Sequence, residues 1–263
     1  MKKQKTISIF IITRKRIPYL KNLLDNVLDK AYDVTNLEFH IGMDNDDEDT
    51  VTFVKNYFID HDINGFGKVC NEKTDICNGC KQRFLNRHRD LLLPMTQSAK
   101  GDYFWILNDD LLIETKDFDK ILLEQIENHL TKSSDRILYG KVKETFANTS
   151  RADYKKSPSR MSCSPITPAC YPIISRELYD TLGWFLPPLI GRNGADTALH
   201  DILTDCKYDR LVTFPDIVLY DRVLPDIEER PDANHPSSVE ILPRKLVKLL
   251  SGDIEEYIET EQL

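Results

Sequence analysis

Hydrophobic residues along the first half of the chain alternate between a strand pattern and a helix pattern. Thr6–Ile12 is mostly apolar and β-branched, which is typical of a strand buried on both faces. After Pro18, which a first helical turn tolerates, apolar residues recur at the spacing of one helix face. This stripe consists of Leu20, Leu24, Val27, Leu28 and Ala31. The pattern predicts a strand that is followed directly by a helix.

Two further strands are predicted to end on acidic residues. The apolar run Leu37–Met43 stops at the acidic segment Asp44–Asp49, and a helical stripe follows it. A later apolar run stops at Asn108, Asp109 and Asp110, and another helical pattern comes next. Asn and Asp are ordinary turn residues, but the carboxyl ends of parallel strands are also where open α/β sheets bind ligands. The alternation of strands and helices therefore predicts an α/β sheet whose acidic strand ends share one crevice.

The segment between these two strands is less regular. Residues 60–79 are polar and aperiodic, which indicates a loop with a short strand near Lys68–Cys70. Residues 84–95 carry apolar side chains at helical spacing and predict a helix, with Arg83 and Arg87 among its basic residues. These basic residues form either a solvated helix face or part of a binding site.

The second half of the chain has a different character. Residues 151–168 are polar and proline-bearing, which indicates a loop or a lid. The elements predicted after it are strands at Ala169–Ser175, Arg210–Phe214 and Ile217–Tyr220, helices at Arg176–Leu182 and Asp196–Cys206, and an amphipathic helix at about Ile241–Ile258. We therefore predict one domain at residues 1–222, and a proline-rich linker with a C-terminal helix at residues 223–263.

Composition and the start of the chain restrict the class of protein. The chain has 263 residues, is 41% hydrophobic and carries a net charge of −8, which suits a globular domain and is weak evidence against DNA as a partner. The first apolar run is too short for a signal peptide, and no run of about 18 apolar residues could span a bilayer. We expect a soluble, cytoplasmic protein.

The cysteines allow two interpretations. Six cysteines in a chain without an export signal favour reduced thiols over disulfides. Cys77 and Cys80, with Cys70 before them and His88 after them, are also compatible with a zinc site. Ordinary thiols are the favoured interpretation, and zinc stays open.

The order of these segments resembles the nucleotide-sugar-dependent glycosyltransferases of the GT-A fold, most closely the large inverting family 2. The similar segments are ISIFIITRKR with PYLKNLLDNVL, GMDNDDEDT, KQRFLNRHRDLLLPMTQSAKGDYFWILNDD, and LYDTLGWF with GADTALHDIL. The resemblance implies a Rossmann-like, mixed and mainly parallel sheet that is flanked by helices and followed by a C-terminal helical tail. It also implies a nucleotide-binding half at about residues 1–115 and an acceptor-side half at about residues 116–222.

The resemblance assigns several residues to the donor nucleotide. They are Thr13, Arg14, Asp44, Arg83, Arg87, Asn108 and Asp109. Thr13 and Arg14 lie in the turn after the first strand, and Asp44 would hydrogen-bond the base. The arginines of the predicted helix would stabilise the leaving diphosphate electrostatically.

The resemblance also implies a metal site and a catalytic base. Asp110 would bind Mn²⁺ or Mg²⁺ within a DXD-like motif whose first position is Asn108. Asp221 is the candidate further ligand, with His235 as its alternative. Asp196, at a predicted helix start, would take the proton from the acceptor hydroxyl, although an aspartate there is also a common helix cap.

These assignments predict metal-dependent transfer of a sugar from a UDP- or GDP-sugar to an acceptor hydroxyl, with inversion. The acceptor stays open among a glycan, a lipid-linked saccharide, a protein and a modified DNA base. One alternative is a sugar-nucleotide nucleotidyltransferase, which would need a glycine-rich phosphate loop that the segment TRKRIPYL lacks. The other alternative is a non-catalytic GT-A-like binding protein.

Overall fold

The computed structural model describes most of the chain in separate ranges. The described residues are 4–70, 75–76, 83–84, 91–146, 169–186, 195–206, 210–221 and 244–261. The strands are β1 (Ile7–Thr13), β2 (Leu37–Asp44), β3 (Gly65–Cys70), β4 (Asp75–Ile76), β5 (Arg83–Phe84), β6 (Tyr103–Asn108), β7 (Leu111–Ile113), β8 (Tyr139–Phe146), β9 (Ile173–Ser175) and β10 (Leu211–Asp221). The α-helices are α1 (Ile17–Lys30), α2 (Glu48–Asp60), α3 (Leu93–Ser98), α4 (Phe118–Leu130), α5 (Arg176–Leu182), α6 (Ala195–Asp205) and α7 (Arg244–Glu261).

One mixed sheet organises the molecule. Its strand order is β3-β2-β1-β6-β9-β8-β10-β7, and β4 pairs with β5 outside it. The first four strands of this order are mutually parallel, β9 is antiparallel to both of its neighbours, and β8 pairs in parallel with β10. The predicted α/β class, with a mainly parallel sheet flanked by helices, is confirmed.

Helices cover the sheet on both faces and bury two apolar layers. The first layer packs α1, α2 and α4 against alternate residues of the parallel strands, including Ile9 and Trp105. The second layer packs α3, α5, α6 and α7 against the opposite face, including Phe10 and Phe104. Because successive side chains of a strand point to opposite faces, a strand between two helix layers must be apolar throughout. β1 meets this requirement except at Ser8 and Thr13, whose buried hydroxyls donate hydrogen bonds to Glu38 and Asp109.

The C-terminal helix belongs to the second layer. Ile254 and Ile258 are fully buried among the side chains of that layer. The hydroxyl of Ser251 donates a hydrogen bond of 2.6 Å to the carbonyl oxygen of Ile202 in α6. The helix predicted near residues 241–258 therefore packs against α5 and α6 on the sheet.

The helix predicted over residues 84–95 is confirmed at residues 91–95, where the backbone is π-helical at Leu91 and Leu92 and α-helical from Leu93, and it is wrong at Phe84. Arg83 and Phe84 lie in β5, which pairs with β4, and α3 begins only at Leu93. Leu91, Leu92 and Met95 do have the predicted burial. Apolar spacing therefore identified the residues that pack on the sheet, while the predicted helix residues 85–90 lie outside the described ranges.

The hydrophobic pattern did not predict β8, because polar residues interrupt its apolar sequence. Lys141 and Glu144 interrupt its apolar sequence, yet both side chains are buried. The partner strand β10 covers both of the strands predicted at Arg210–Phe214 and Ile217–Tyr220. The register between β10 and β8 shifts between Phe214 and Val218. Pro215 lies in this interval and has no backbone N–H to donate to the ladder, which accounts for the apparent break.

Candidate functional site

The ends of three adjacent parallel strands bring distant residues to one edge of the sheet. In the register of the sheet, Ile12 lies opposite Asn108 and Thr13 lies opposite Met43. The loop after β1, Asp44 at the end of β2 and the residues after β6 therefore share this edge. The carboxyl edge of a parallel sheet is where α/β proteins place their ligands.

The loop between β1 and α1 consists of three basic residues, Arg14, Lys15 and Arg16, and lies over this edge. Lys15 has a φ of 51°, a left-handed conformation that turns the chain sharply towards Pro18 at the start of α1. The backbone N–H of Lys15 donates a hydrogen bond to the carboxylate of Asp47. Asp47 is also the residue before α2 and accepts from the backbone N–H of Thr50. One buried carboxylate thus joins the start of α2 to the loop.

The guanidinium of Arg16 forms ion pairs with both carboxylates that follow β6. Its Nη1 lies 2.5 Å from Asp109 Oδ1, and its Nη2 lies 2.8 Å from Asp110 Oδ2. The hydroxyl of Thr13 donates a 2.7 Å hydrogen bond to Asp109 Oδ2. The side chain of Asp109 is 3% exposed and that of Arg16 is 21% exposed, so water screens this ion pair only in part.

Electrostatics favour the charged form of Arg16. Burial alone would lower the pKa of its guanidinium, but the negative charges of Asp109 and Asp110 outweigh burial and raise that pKa. Arg16 also lies over the ring of Tyr19, at 5.0 Å from the ring centroid. No sequence pattern singles out Arg16, because only its partners distinguish it from the basic residues beside it.

Arg14 binds the carboxylate at the end of the neighbouring strand, β2. Its Nη1 lies 2.6 Å from Asp44 Oδ2 and its Nη2 lies 2.7 Å from Asp46 Oδ2. The side chain of Asp44 is almost buried, whereas that of Arg14 is 40% exposed. Two of the residues that the sequence assigned to the nucleotide, Arg14 and Asp44, are therefore in direct contact.

Tyr171 connects the end of β6 to the end of β10. The side-chain amide of Asn108 donates to the Tyr171 hydroxyl at 3.4 Å, and that hydroxyl donates to Asp221 Oδ2 at 2.8 Å. Burial, and then the charge of Asp221 with a contribution from Asp110, raises the pKa of Tyr171 well above its usual value. The phenol therefore stays protonated and donates to Asp221. This chain of contacts brings Asp221 towards the same edge, and no sequence pattern had indicated Tyr171.

The buried carboxyl group of Glu144 contacts the backbone just before Tyr171. Glu144 Oε1 accepts a 3.1 Å hydrogen bond from the backbone N–H of Cys170. Burial raises the pKa of Glu144 above its ordinary value. No hydrophobic pattern indicates Glu144 or the strand β8 that carries it.

A cavity opens beside the basic loop. It has a volume of about 620 Å³ and is lined by Lys15, Ile17, Pro18 and the acidic residues at 46–49. Carboxylates accept hydrogen bonds from N–H and O–H groups. The lining therefore suits a polar group such as a base or a ribose better than it suits a phosphate.

Several predicted site residues lie wholly or partly outside the described residues. Arg87 and His235 lie outside them, as do Cys77, Cys80 and His88. Arg83 lies in β5 and Asp196 lies in the first turn of α6, and the structure describes only their backbone. The roles suggested for them stay predictions.

The carboxylates at the edge have the chemistry of a site for a hard divalent cation. Asp109 and Asp110 supply the oxygen ligands that Mg²⁺ and Mn²⁺ prefer, and such ions commonly take one or two protein carboxylates together with phosphates. Within the described ranges, no group of three His, Cys, Asp or Glu residues could hold a metal ion. The residues therefore fit a cation that completes its coordination from a phosphate-bearing substrate.

Comparison with solved structures defines the class of fold. The mannosyltransferase PcManGT from Pyrobaculum calidifontis, in complex with GDP-Man and Mn²⁺, matches with a TM-score of 0.59 and 18% identity over 86% of this chain and 59% of that one. TarS 1–349 from S. aureus in complex with UDP-GlcNAc matches with a TM-score of 0.59 and 13% identity over 97% of this chain and 70% of that one. The same protein in complex with UDP matches over 84% of this chain and 61% of that one.

These likenesses confirm the expected fold. The chain has the GT-A-like architecture of these nucleotide-sugar glycosyltransferases, and it spans about 60% of the length of the first of them. Sequence comparison finds no matching family model and no matching curated protein. In the part of the chain that the structure describes, no helix is long and apolar enough to cross a membrane.

Proposed function

We propose that the protein is a glycosyltransferase that moves a sugar from a nucleotide-sugar donor to an acceptor hydroxyl. The observation that carries the proposal is the convergence of Thr13, Arg14, Asp44 and the Asn108–Asp110 turn at one sheet edge. The shared fold supports it, since PcManGT and TarS were solved with GDP-Man, UDP and UDP-GlcNAc.

In this proposal the donor nucleotide lies along the ends of β2 and β1. Asp44 accepts hydrogen bonds from the base, and the acidic cavity beside Lys15 receives the polar part of the nucleoside. Thr13 and Arg14 position the ribose and the first phosphate. Arg83 and Arg87 add positive charge near the diphosphate. This charge stabilises the negative charge that develops on the leaving diphosphate in the transition state.

The diphosphate and its cation lie at the end of β6. Asp110 is the proposed ligand of Mn²⁺ or Mg²⁺, with Asn108 and Asp109 beside it and Asp221 as a further ligand that Tyr171 positions. His235 is the alternative to Asp221. When bound, a divalent cation neutralises the charge that develops on the leaving diphosphate.

Asp196 is the proposed base. It lies in the first turn of α6, and its carboxylate would take the proton of the acceptor hydroxyl as that oxygen attacks the anomeric carbon. Attack on the side opposite the diphosphate inverts the configuration and needs no covalent intermediate. The acceptor itself is one of the hydroxyl-bearing classes named above.

A donor panel tests the proposed function. Purified protein is titrated by calorimetry with UDP, GDP and their sugars, with and without Mn²⁺, and release of nucleoside diphosphate is followed by chromatography. We expect one nucleotide class to bind, and slow hydrolysis of its sugar to require the metal. Release of pyrophosphate from a nucleoside triphosphate and a sugar phosphate would instead indicate a nucleotidyltransferase. If no nucleotide binds, the protein would instead be a non-catalytic GT-A-like binding protein.

A further inference from the structure

The carboxylate pair after β6 already has a cation of its own. Arg16 donates to one oxygen of Asp109 and to one oxygen of Asp110, while Thr13 holds the second oxygen of Asp109. A guanidinium is charged at every physiological pH and matches two carboxylate oxygens with its rigid fork. Arg16 therefore neutralises part of the charge that would attract another cation to this turn.

A divalent cation and Arg16 compete for the same carboxylate. A divalent cation held by Asp110 would bind a carboxylate oxygen directly, and Arg16 Nη2 already lies 2.8 Å from Oδ2 of the same group. Two positive charges that share one carboxylate repel each other strongly, because this site is only partly exposed to water. Arg16 therefore weakens the binding of a metal to Asp110 as long as its guanidinium stays on Oδ2 of that residue.

Arg16 has the freedom to withdraw. It is the residue before α1, makes no side-chain capping hydrogen bond to that helix, and is partly exposed at the crevice. A diphosphate is a suitable new partner for it, because a guanidinium binds phosphate oxygens as it binds carboxylate oxygens. A diphosphate that arrives at this edge would attract Arg16 and release Asp110 at the same time.

We propose that Arg16 is a resident counter-cation that couples metal binding to donor binding. It suppresses the affinity of Asp110 for a divalent cation until a nucleoside diphosphate gives its guanidinium another anionic partner. By linkage, the nucleotide raises the affinity for the metal by the same factor as the metal raises the affinity for the nucleotide. Arg16 is thus a positioning residue. The effect of the nucleotide on metal binding rests on the proposed function, whereas the competition between Arg16 and the metal does not.

Titration with Mn²⁺ alone tests the competition without any donor. We expect Arg16→Met to bind Mn²⁺ about 10-fold more tightly than the wild type, because the competing charge is gone. Asp110→Asn in the Arg16→Met background should abolish the tighter site. Lys21→Met is the matched control, since it removes one positive charge from an exposed pair with Asp25 on α1 and should leave Mn²⁺ affinity unchanged.

The coupling is measured by repeating the titrations with saturating UDP or GDP. Nucleotide should tighten Mn²⁺ binding by about 10-fold in the wild type and by clearly less in Arg16→Met, within the ~5–150-fold range of typical couplings. Arg16→Lys keeps the charge but loses the fork, so it should give intermediate values and serves if Arg16→Met does not fold. Circular dichroism of each variant checks folding.

Three results would each overturn this role. Equal or weaker Mn²⁺ binding by Arg16→Met, or tighter binding that survives Asp110→Asn, shows that Arg16 does not compete at Asp110. Equal coupling in the wild type and the variant shows that Arg16 does not connect the two ligands. If neither UDP nor GDP binds, the proposed function and the coupling both fail, while the Mn²⁺ titrations without nucleotide still decide whether Arg16 competes.

Discussion

At the scale of single residues, two arginines of one loop hold different carboxylates. Arg14 covers Asp44 from the solvent side, whereas Arg16 lies between Asp109 and Asp110. A ligand that reaches the buried Asp44 must therefore displace the guanidinium of Arg14 or share the carboxylate with it. The basic loop separates the proposed base-binding residue from the proposed diphosphate-binding turn.

We predict that Asp44→Ala weakens the binding of UDP or GDP by about 10-fold to 100-fold. A hydrogen bond to a charged group contributes about 1.5–3 kcal/mol, and the substitution removes such an acceptor. The measurement is calorimetric titration of the wild type and the variant. Asp29→Ala is the control, because Asp29 pairs with Lys30 on α1, is 75% exposed and does not line the cavity, so its loss should change affinity little. Equal affinities of Asp44→Ala and wild type would remove Asp44 from the donor site.

We predict that Asp196→Asn lowers the transfer rate by about 10²-fold or more while donor affinity stays within a factor of about two. The amide keeps the size and the capping ability of the carboxylate, but it cannot accept the proton. Transfer is followed in single turnover, and donor binding by calorimetry. Asp201→Asn, on the same helix, is the control and should retain normal transfer. A normal rate for Asp196→Asn would remove this residue from the mechanism.

At the scale of elements, Glu38 in β2 links two strands and a turn at the edge opposite the candidate site. Its Oε2 accepts hydrogen bonds from Ser8 Oγ at 2.6 Å and from the backbone N–H of Lys100 at 2.9 Å, and His40 Nε2 lies 3.1 Å away. Burial opposes ionisation of Glu38, but these partners outweigh burial and lower its pKa to about 2. The charged carboxylate thus joins β1, β2 and the turn before β6.

This lowered pKa predicts an acid-sensitive contribution to stability. A carboxylate whose folded pKa lies below its unfolded value of 4.5 stabilises the fold above pH 4.5, and this contribution is lost as the pH falls towards 2. The shift corresponds to at most about 3 kcal/mol. Urea denaturation of the wild type and Glu38→Gln between pH 2.5 and 7 measures it. The difference between the two free energies of unfolding should shrink below pH 4.5, and a difference that does not change with pH would contradict the assignment.

At the scale of the whole molecule, the C-terminal helix completes one face of the sheet. Ile254 and Ile258 are buried in the second apolar layer together with residues of α5 and α6. These residues come from chain segments far apart in sequence, so the layer forms only when the whole sheet is assembled. Helix α7 is therefore expected to contribute to the stability of the domain that carries the candidate site.

We predict that Ile254→Ala lowers the free energy of unfolding by about 2–5 kcal/mol, because it leaves a cavity in a packed layer. Leu249→Ala, on the same helix but 62% exposed, should change it by less than about 0.5 kcal/mol. Chemical denaturation followed by circular dichroism compares the two variants with the wild type. Similar small effects of both substitutions would show that α7 contributes little to the stability of the domain.

The sequence by itself determined which segments form the parallel core and where their acidic ends lie. The apolar runs that predict β1, β2 and β6, and the stripes that predict α1, α2 and α4, are local patterns that burial on a sheet imposes on any chain. The turn chemistry at Asp44 and at Asn108–Asp110 is local in the same sense. Parallel pairing then follows from the strand–helix alternation, and it brings these ends to one edge.

Only the tertiary structure decided which charges meet at that edge. Arg14 and Arg16 are equivalent in a list of basic residues, yet one binds the end of β2 and the other binds residues that are 93 and 94 positions away. The contact of Tyr171 with Asp221 and the burial of Lys141 and Glu144 in β8 likewise depend on the order of strands in the sheet. Hydrophobic periodicity reports the environment of a segment, whereas an ion pair depends on the position of a second segment that the local pattern does not contain.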